Sequence, residues 1–193
     1  MAFVAQKLGL IGCFLVSTLI TSVAFSSEKY EIKNGSDDPM PVVKYGAGPV
    51  AVILAYQYKG TMRDWKFFAE ELEAAGFSAY TFDFNGYGSK GGWKKERAKN
   101  HLDVVEIAKF AREQGAEKLF LIGSSMGAAA VLKAAEILDT NGVIAMAPYV
   151  DRGNKFASPS SATAKAIEEK VLLVSAKGDT SASHAKKLDK LIT

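Results

Sequence analysis

The chain has 193 residues, of which 48% are hydrophobic and 23% charged, and its formal net charge is +3. These values fit one globular domain and exclude a long disordered chain. The densest basic segment, Lys90–Lys99, is interrupted by two glycines and by Glu96, and it lacks the basic stripe interleaved with aromatics that nucleic acids require. We therefore expect no nucleic-acid partner.

The N-terminal segment has the pattern of a signal peptide. Lys7 precedes the uncharged stretch Leu8–Phe25, which ends near the small residues Ser22-Val23-Ala24. We expect residues 1–25 to be a signal peptide and residues 26–193 to be one domain, exported to a bacterial periplasm or secreted. Two alternatives remain. A retained anchor would place the protein at a membrane, since the stretch reaches the lower limit of spanning length. Lipidation at Cys13 is the other.

Cys13 is the single cysteine of the chain. If the signal peptide is removed, the domain has no thiol, which excludes disulfides and cysteine catalysis. A domain without cysteine fits an oxidising compartment.

Apolar β-prone runs alternate with stretches of helical spacing along the rest of the chain. We predict edge strands near Glu31–Lys33 and Val42–Tyr45, and further strands at Pro49–Tyr58, Phe77–Phe84, Lys118–Ser124, Gly142–Pro148 and Val171–Ser175. We predict helices at Asp64–Ala75, Leu102–Gln114, Met126–Leu138, Ala162–Glu169 and Ser183–Ile192, with Gly76 and Gly115 ending two of them. Such alternation is typical of an α/β fold, a three-layer α/β/α sandwich with a mostly parallel sheet. Ligands bind such sheets at the carboxyl ends of their strands.

The segment Gly123-Ser124-Ser125-Met126-Gly127 is the most informative of the sequence. It has the pattern G-x-S-x-G between an apolar strand and an alanine-rich helix, where a sharp turn exposes the serine oxygen. A Cβ at Gly123 or Gly127 would clash in such a turn. The N–H of Met126, at the start of the helix, would point at an oxyanion forming on a substrate carbonyl. A tight strand–helix crossing without catalysis is the alternative.

With the segment Asp83-Phe84-Asn85-Gly86-Tyr87-Gly88-Ser89, this turn makes the chain resemble the α/β-hydrolase superfamily, in particular its serine esterases and dienelactone hydrolases. The resemblance covers residues 49–192. It implies acyl hydrolysis through a serine, a histidine and an acid. The short link between Pro148 and Val171 implies a lidless member.

The same resemblance suggests the remaining site residues. The family has His-Gly where this chain has Ala55-Tyr56-Gln57, and the backbone N–H of Tyr56 or Gln57 would be the second oxyanion donor, unless these residues only end the strand. Asp179 follows a late strand and is the candidate acid. A turn aspartate before a helix is the other interpretation of Asp179, and Asp151 is a weaker candidate acid.

The base is the difficult assignment. The family places its histidine after one more strand, which this sequence does not contain, so we expect either a truncated hydrolase or a diverged one. His184 is the one candidate base near Asp179, whereas His101 is expected on the surface.

These residues lead to two hypotheses about function. The first is a serine hydrolase that cleaves ester, thioester or amide bonds of a small-molecule acyl substrate through Ser125. The second is a non-catalytic binding protein of the same fold. Neither a metal nor an organic cofactor is implied, because the two histidines lie far apart without accompanying ligands. An unpaired sheet edge left by the absent strand would favour either low thermal stability or a homodimer formed through that edge.

Overall fold

Seven strands form one mixed sheet in the computed structural model, which describes residues 26–33, 39–86, 99–149, 167 and 170–192. The strands are β1 (Ser27–Ile32), β2 (Met40–Tyr45), β3 (Val50–Ala55), β4 (Ser78–Phe82), β5 (Lys118–Ser124), β6 (Gly142–Met146) and β7 (Val171–Val174). Their order in the sheet is β1-β2-β4-β3-β5-β6-β7. The pairs β1–β2 and β2–β4 are antiparallel, and every pair from β4 to β7 is parallel. This arrangement confirms the mostly parallel sheet.

Helices cover both faces of the sheet. They are a short 3₁₀ helix (Met62–Trp65), α1 (Lys66–Ala74), α2 (Asn100–Glu113), α3 (Met126–Ala134) and α4 (Ser181–Ile192). On one face, Val104 of α2, Leu132 of α3 and Leu188 of α4 pack in the larger hydrophobic core. On the other face, Ala69 of α1 joins a second core with sheet residues such as Leu54. The three-layer α/β/α architecture is therefore confirmed.

Two glycines end helices as the sequence predicts. Gly76 has a φ of 85°, and the N–H groups of Gly76 and Phe77 donate to the carbonyls of Glu73 and Leu72. Gly115, at φ 92°, ends α2 with the same bonding pattern. Because L-residues rarely adopt these angles, glycine fits the position where the chain leaves the helix.

Several boundaries differ from the predicted ones. Strand β3 ends at Ala55 instead of Tyr58, since the chain turns there and the N–H of Gly60 donates to the carbonyl of Gln57 at 2.9 Å. The helix predicted from Asp64 starts as the 3₁₀ helix, whose N-cap is Thr61. Helix α3 ends at Ala134, four residues before the predicted Leu138.

Some predicted segments lie outside the described residues. They are the signal peptide at residues 1–25, most of the basic segment Lys90–Lys99, Asp151, and nearly all of the helix predicted at Ala162–Glu169. The link from β6 to β7, where we expect no lid, is also mostly outside. In the part of the chain that is described, no helix has both the length and the apolar character that crossing a bilayer demands.

Candidate active site

Ser125 lies at a strained turn between β5 and α3. Its φ of 51° and ψ of −106° are unusual for an L-residue, and its side chain is partly exposed. The backbone N–H of Ser125 donates to the carbonyl of Met146 at 2.8 Å, and its carbonyl accepts from Ala129 at 3.1 Å. The turn is therefore held from the neighbouring strand β6 on one side and from the first turn of α3 on the other.

The two glycines of the turn are required by close backbone contacts, as the sequence predicts. A Cβ at Gly123 would lie 2.3 Å from the carbonyl oxygen of Gly127. A Cβ at Gly127 would lie 2.1 Å from the carbonyl oxygen of Ala55 and 2.7 Å from that of Tyr56. Helix α3 therefore starts in direct contact with the end of β3.

The same contact places Tyr56 beside the first turn of α3, which begins at Met126. Met126 is the first residue of α3 and only 4% exposed, and the first N–H groups of a helix have no partner within that helix. The backbone of Tyr56 lies beside Gly127, one residue further along. Met126 is therefore adjacent in sequence both to Ser125 and to Gly127, the residue that contacts Tyr56.

Two hydrogen bonds, one buried and one partly buried, fix the path of the chain beyond β3. The hydroxyl of Tyr56, which is fully buried, accepts from the backbone N–H of Phe84 at 3.1 Å. The carboxylate of Asp83, also fully buried, accepts from the N–H of Met62 at 2.9 Å. Sequence reasoning missed this role of Asp83, although the residue begins the glycine-containing segment on which the resemblance rests. Beyond Gly86 that segment lies outside the described residues.

Asp179 caps helix α4. Its Oδ1 accepts from the backbone N–H of Ser181 at 2.9 Å and from the Thr180 hydroxyl at 3.4 Å. The hydrogen bond from the Ser181 backbone lowers the pKa of the Asp179 carboxyl below its usual range. These contacts are those of a turn aspartate before a helix, the second of the two interpretations of Asp179 from sequence.

His184 lies one turn into α4 and is half-buried. The Tyr149 ring packs against its imidazole with 5.2 Å between the ring centroids, and the Tyr149 hydroxyl lies 3.4 Å from that of Thr180. Sequence reasoning did not single out Tyr149, which follows β6 after Pro148. The other histidine, His101, is half-buried in the first turn of α2, so it is less exposed than expected.

The sheet sets the distance between the two groups of candidate residues. Ser124 is in register with Met146, and Met146 with Val174. The ends of β5 and β7 are therefore two strand spacings, about 10 Å, apart. Strand β6 lies between them, and the N–H of Ala147, the residue after β6, donates to the Val174 carbonyl at 2.7 Å. Ser125 and the start of α4 therefore both lie at the carboxyl ends of the parallel strands.

The described residues lack the groups of side chains that bind metal ions. They contain no group of three or more His, Cys, Asp or Glu residues placed to hold an ion.

A mostly parallel sheet in this strand order, with a strained serine turn before α3, defines the chain as an α/β-hydrolase. Comparison with family models gives the same assignment. The model described as "Serine aminopeptidase, S33" matches residues 51–189, and the chain belongs to that family. A search of curated proteins found no significant match.

Solved structures of the same fold come from several organisms. An esterase from Pyrococcus furiosus has a TM-score of 0.70 at 16% identity, over 87% of this chain and 77% of that one. A protein from Klebsiella pneumoniae assigned as a dienelactone hydrolase also has 0.70, at 15% identity, over 88% and 80%. A serine hydrolase without a lid from Xanthomonas campestris has 0.59 at 18% identity, over 89% and 94%. At these identities the likeness establishes the fold alone.

Proposed function

We propose that the protein is a serine hydrolase that cleaves carboxylic ester, thioester or amide bonds through an acyl-enzyme on Ser125. The observation that carries this proposal is the strained backbone of Ser125 at the start of α3, beside the end of β3. Strain of this kind persists where the surrounding structure imposes it, and it is common at active sites. The family name supports an amide, and the name of the Pyrococcus neighbour supports an ester.

In the proposed mechanism the Ser125 hydroxyl attacks the substrate carbonyl and gives its proton to a base. The carbonyl oxygen becomes negative and accepts hydrogen bonds from the N–H of Met126 and from that of Tyr56 or Gln57. The base returns the proton to the leaving group, and water then hydrolyses the acyl-enzyme. His184 is the proposed base, supported by its place in α4 at the same edge of the sheet.

A second candidate function is a binding protein without catalysis. The hydrogen bonds of the Asp179 carboxylate favour it, because they run to Ser181 and Thr180 at the start of α4. A carboxylate engaged in capping is a weaker partner for an imidazole than one directed at the ring nitrogen.

A fluorophosphonate probe tests the proposal. It should label the wild-type protein and the matched control Ser124→Ala, but not Ser125→Ala. Circular dichroism should show that all three proteins are folded. A folded wild type that remains unlabelled would refute the hydrolase and favour the binding protein.

We also propose that the protein is exported and that its substrate is a small acyl compound. The charge pattern of residues 1–25 supports export. Mass spectrometry of the mature N-terminus tests whether residues 1–25 are removed, because a retained Met1 would contradict their removal.

A further inference from the structure

The loop after β3 contains the proposed oxyanion donors, so its path decides where they point. Gly127 lies against the carbonyls of Ala55 and Tyr56, which sets the start of the loop. The chain leaves the sheet after Ala55, and contacts of the following residues hold it in place. Donors in an oxyanion site are effective only if they are fixed before the reaction.

Asp64 provides such a contact. One oxygen of its carboxylate, Oδ2, accepts from the Gln57 side-chain amide at 2.7 Å and from the backbone N–H of Thr61 at 3.3 Å. The carbonyl of Gln57 accepts from the N–H of Gly60 at 2.9 Å. Gln57 is therefore held at both its backbone and its side chain.

Gly60 leaves the space that this arrangement needs. A Cβ at Gly60 would lie 2.6 Å from Oδ2 of Asp64 and 2.7 Å from Nε2 of Gln57. Any side chain at position 60 would thus occupy the place of the Gln57–Asp64 hydrogen bond.

Asp64 also has a purely structural role, which has to be separated from this one. With Thr61 it forms a reciprocal capping box at the 3₁₀ helix, in which the Thr61 hydroxyl accepts from the N–H of Arg63 at 3.3 Å. The cap does not involve Gln57. Removal of the Thr61 hydroxyl therefore weakens the cap and leaves the bond to Gln57 in place.

We propose that Asp64 is a positioning residue for the oxyanion site. Acting through the Gln57 side chain, it holds the backbone amides of Tyr56 and Gln57 where the carbonyl oxygen of a substrate becomes negative. This inference rests on the proposed hydrolase function. It assigns Gln57 a side-chain role at the point where the family has histidine and glycine.

The test compares five variants: Asp64→Ala, Gln57→Ala, the double variant, Asp64→Asn and Thr61→Ala. The readouts are the rate of fluorophosphonate labelling and the kcat and KM for p-nitrophenyl acetate. Removal of an oxyanion donor lowers kcat about a hundredfold or more, and displacement of a donor should lower it less. We therefore expect Asp64→Ala and Gln57→Ala each to lower kcat about tenfold, with little change in KM. The double variant should be no slower than either single one.

The remaining variants separate positioning from capping. Asp64→Asn still has an oxygen that accepts from Gln57, so it should recover most of the lost rate. Thr61→Ala should lose stability but react at the wild-type rate. The inference is overturned if Asp64→Ala reacts like the wild type, or if Thr61→Ala slows the reaction as much as Asp64→Ala does. An unreactive wild type would overturn the hydrolase proposal itself, and this inference with it.

Discussion

Gly127→Ala tests the contact between helix α3 and the end of β3. The added Cβ would lie 2.1 Å from the carbonyl oxygen of Ala55, 2.5 Å from its carbon and 2.7 Å from the carbonyl oxygen of Tyr56. All three atoms are backbone atoms, so no side-chain rotation relieves the clash. Ordinary contact begins near 3.4 Å, so one element has to move by about 1 Å.

This displacement sets the expected loss of stability. Overpacking costs 1–3 kcal/mol, and a rigid backbone neighbour puts Gly127→Ala near the upper end, about 3 kcal/mol. The better helix propensity of alanine offsets about 1 kcal/mol. The net loss of about 2 kcal/mol should lower Tm by about 4–8 °C in a domain of this size. A shift of about 1 Å at the reacting groups should also slow labelling of Ser125 about a hundredfold.

Gly142→Ala is the matched control. Its Cβ would lie 3.0 Å from ring atoms of Phe120, a partly buried side chain, so that a shift of a few tenths of an ångström in the ring relieves the contact. We expect its free energy of unfolding to stay within about 1 kcal/mol of wild type, because alanine suits a strand slightly better than glycine. Urea unfolding followed by circular dichroism measures both variants, and fluorophosphonate labelling measures their reactivity. If Gly127→Ala is as stable and as reactive as Gly142→Ala, the proposed contact is wrong.

Three further predictions concern single side chains. Tyr56→Phe removes the acceptor for the Phe84 N–H in a buried site, which should cost about 1–3 kcal/mol in urea unfolding; a change below about 0.5 kcal/mol would contradict the buried bond. The pKa of Asp179 is lowered in the folded state, so its stabilisation of α4 is present above the unfolded pKa near 4 and is lost as pH falls through the folded pKa. Asp179→Asn should therefore flatten the acid part of a stability-versus-pH curve, and an unchanged slope would count against the cap. Tyr149→Leu should shift the NMR resonances of the His184 ring and slow labelling of Ser125. Tyr149→Phe should keep the contact between the rings and the labelling rate. Unaltered His184 resonances in the leucine variant would exclude the contact.

The fold was predictable where local pattern and tertiary structure agree. Strand β5 matches its predicted range, Lys118–Ser124, because its apolar run ends at the turn that the glycines require. Strand β3 was predicted to end three residues too late, at Tyr58 instead of Ala55. Tyr56, Gln57 and Tyr58 continue the β-prone run, but the turn closed by Gly60 takes them out of the sheet. Periodicity in the sequence does not report such a turn.

The candidate site was predictable only in its local part. The G-x-S-x-G spacing specifies a steric demand within five residues, so Ser125 and its glycines follow from the sequence alone. The packing of Tyr149 on His184 joins residues 35 positions apart, and no local signal predicts it. The Thr61–Asp64 spacing did contain a capping signature, which would have identified the start of the 3₁₀ helix.

Backbone strain gives a last test of the role of Ser125. In the described ranges, the non-glycine residues with positive φ are Lys59, Ser125 and Ala147, which follow β3, β5 and β6 at the carboxyl edge of the sheet. Glycine would relieve the strain at position 125 but would also remove the hydroxyl. Ser125→Gly and Ser125→Ala should both be unreactive. Glycine should relieve about 1–3 kcal/mol of strain, and its backbone entropy cost offsets part of this gain. The glycine variant should therefore be more stable than the alanine variant by about 1 kcal/mol. If thermal and urea unfolding show that the alanine variant is as stable as the glycine variant or more stable, the backbone at position 125 does not destabilise the fold.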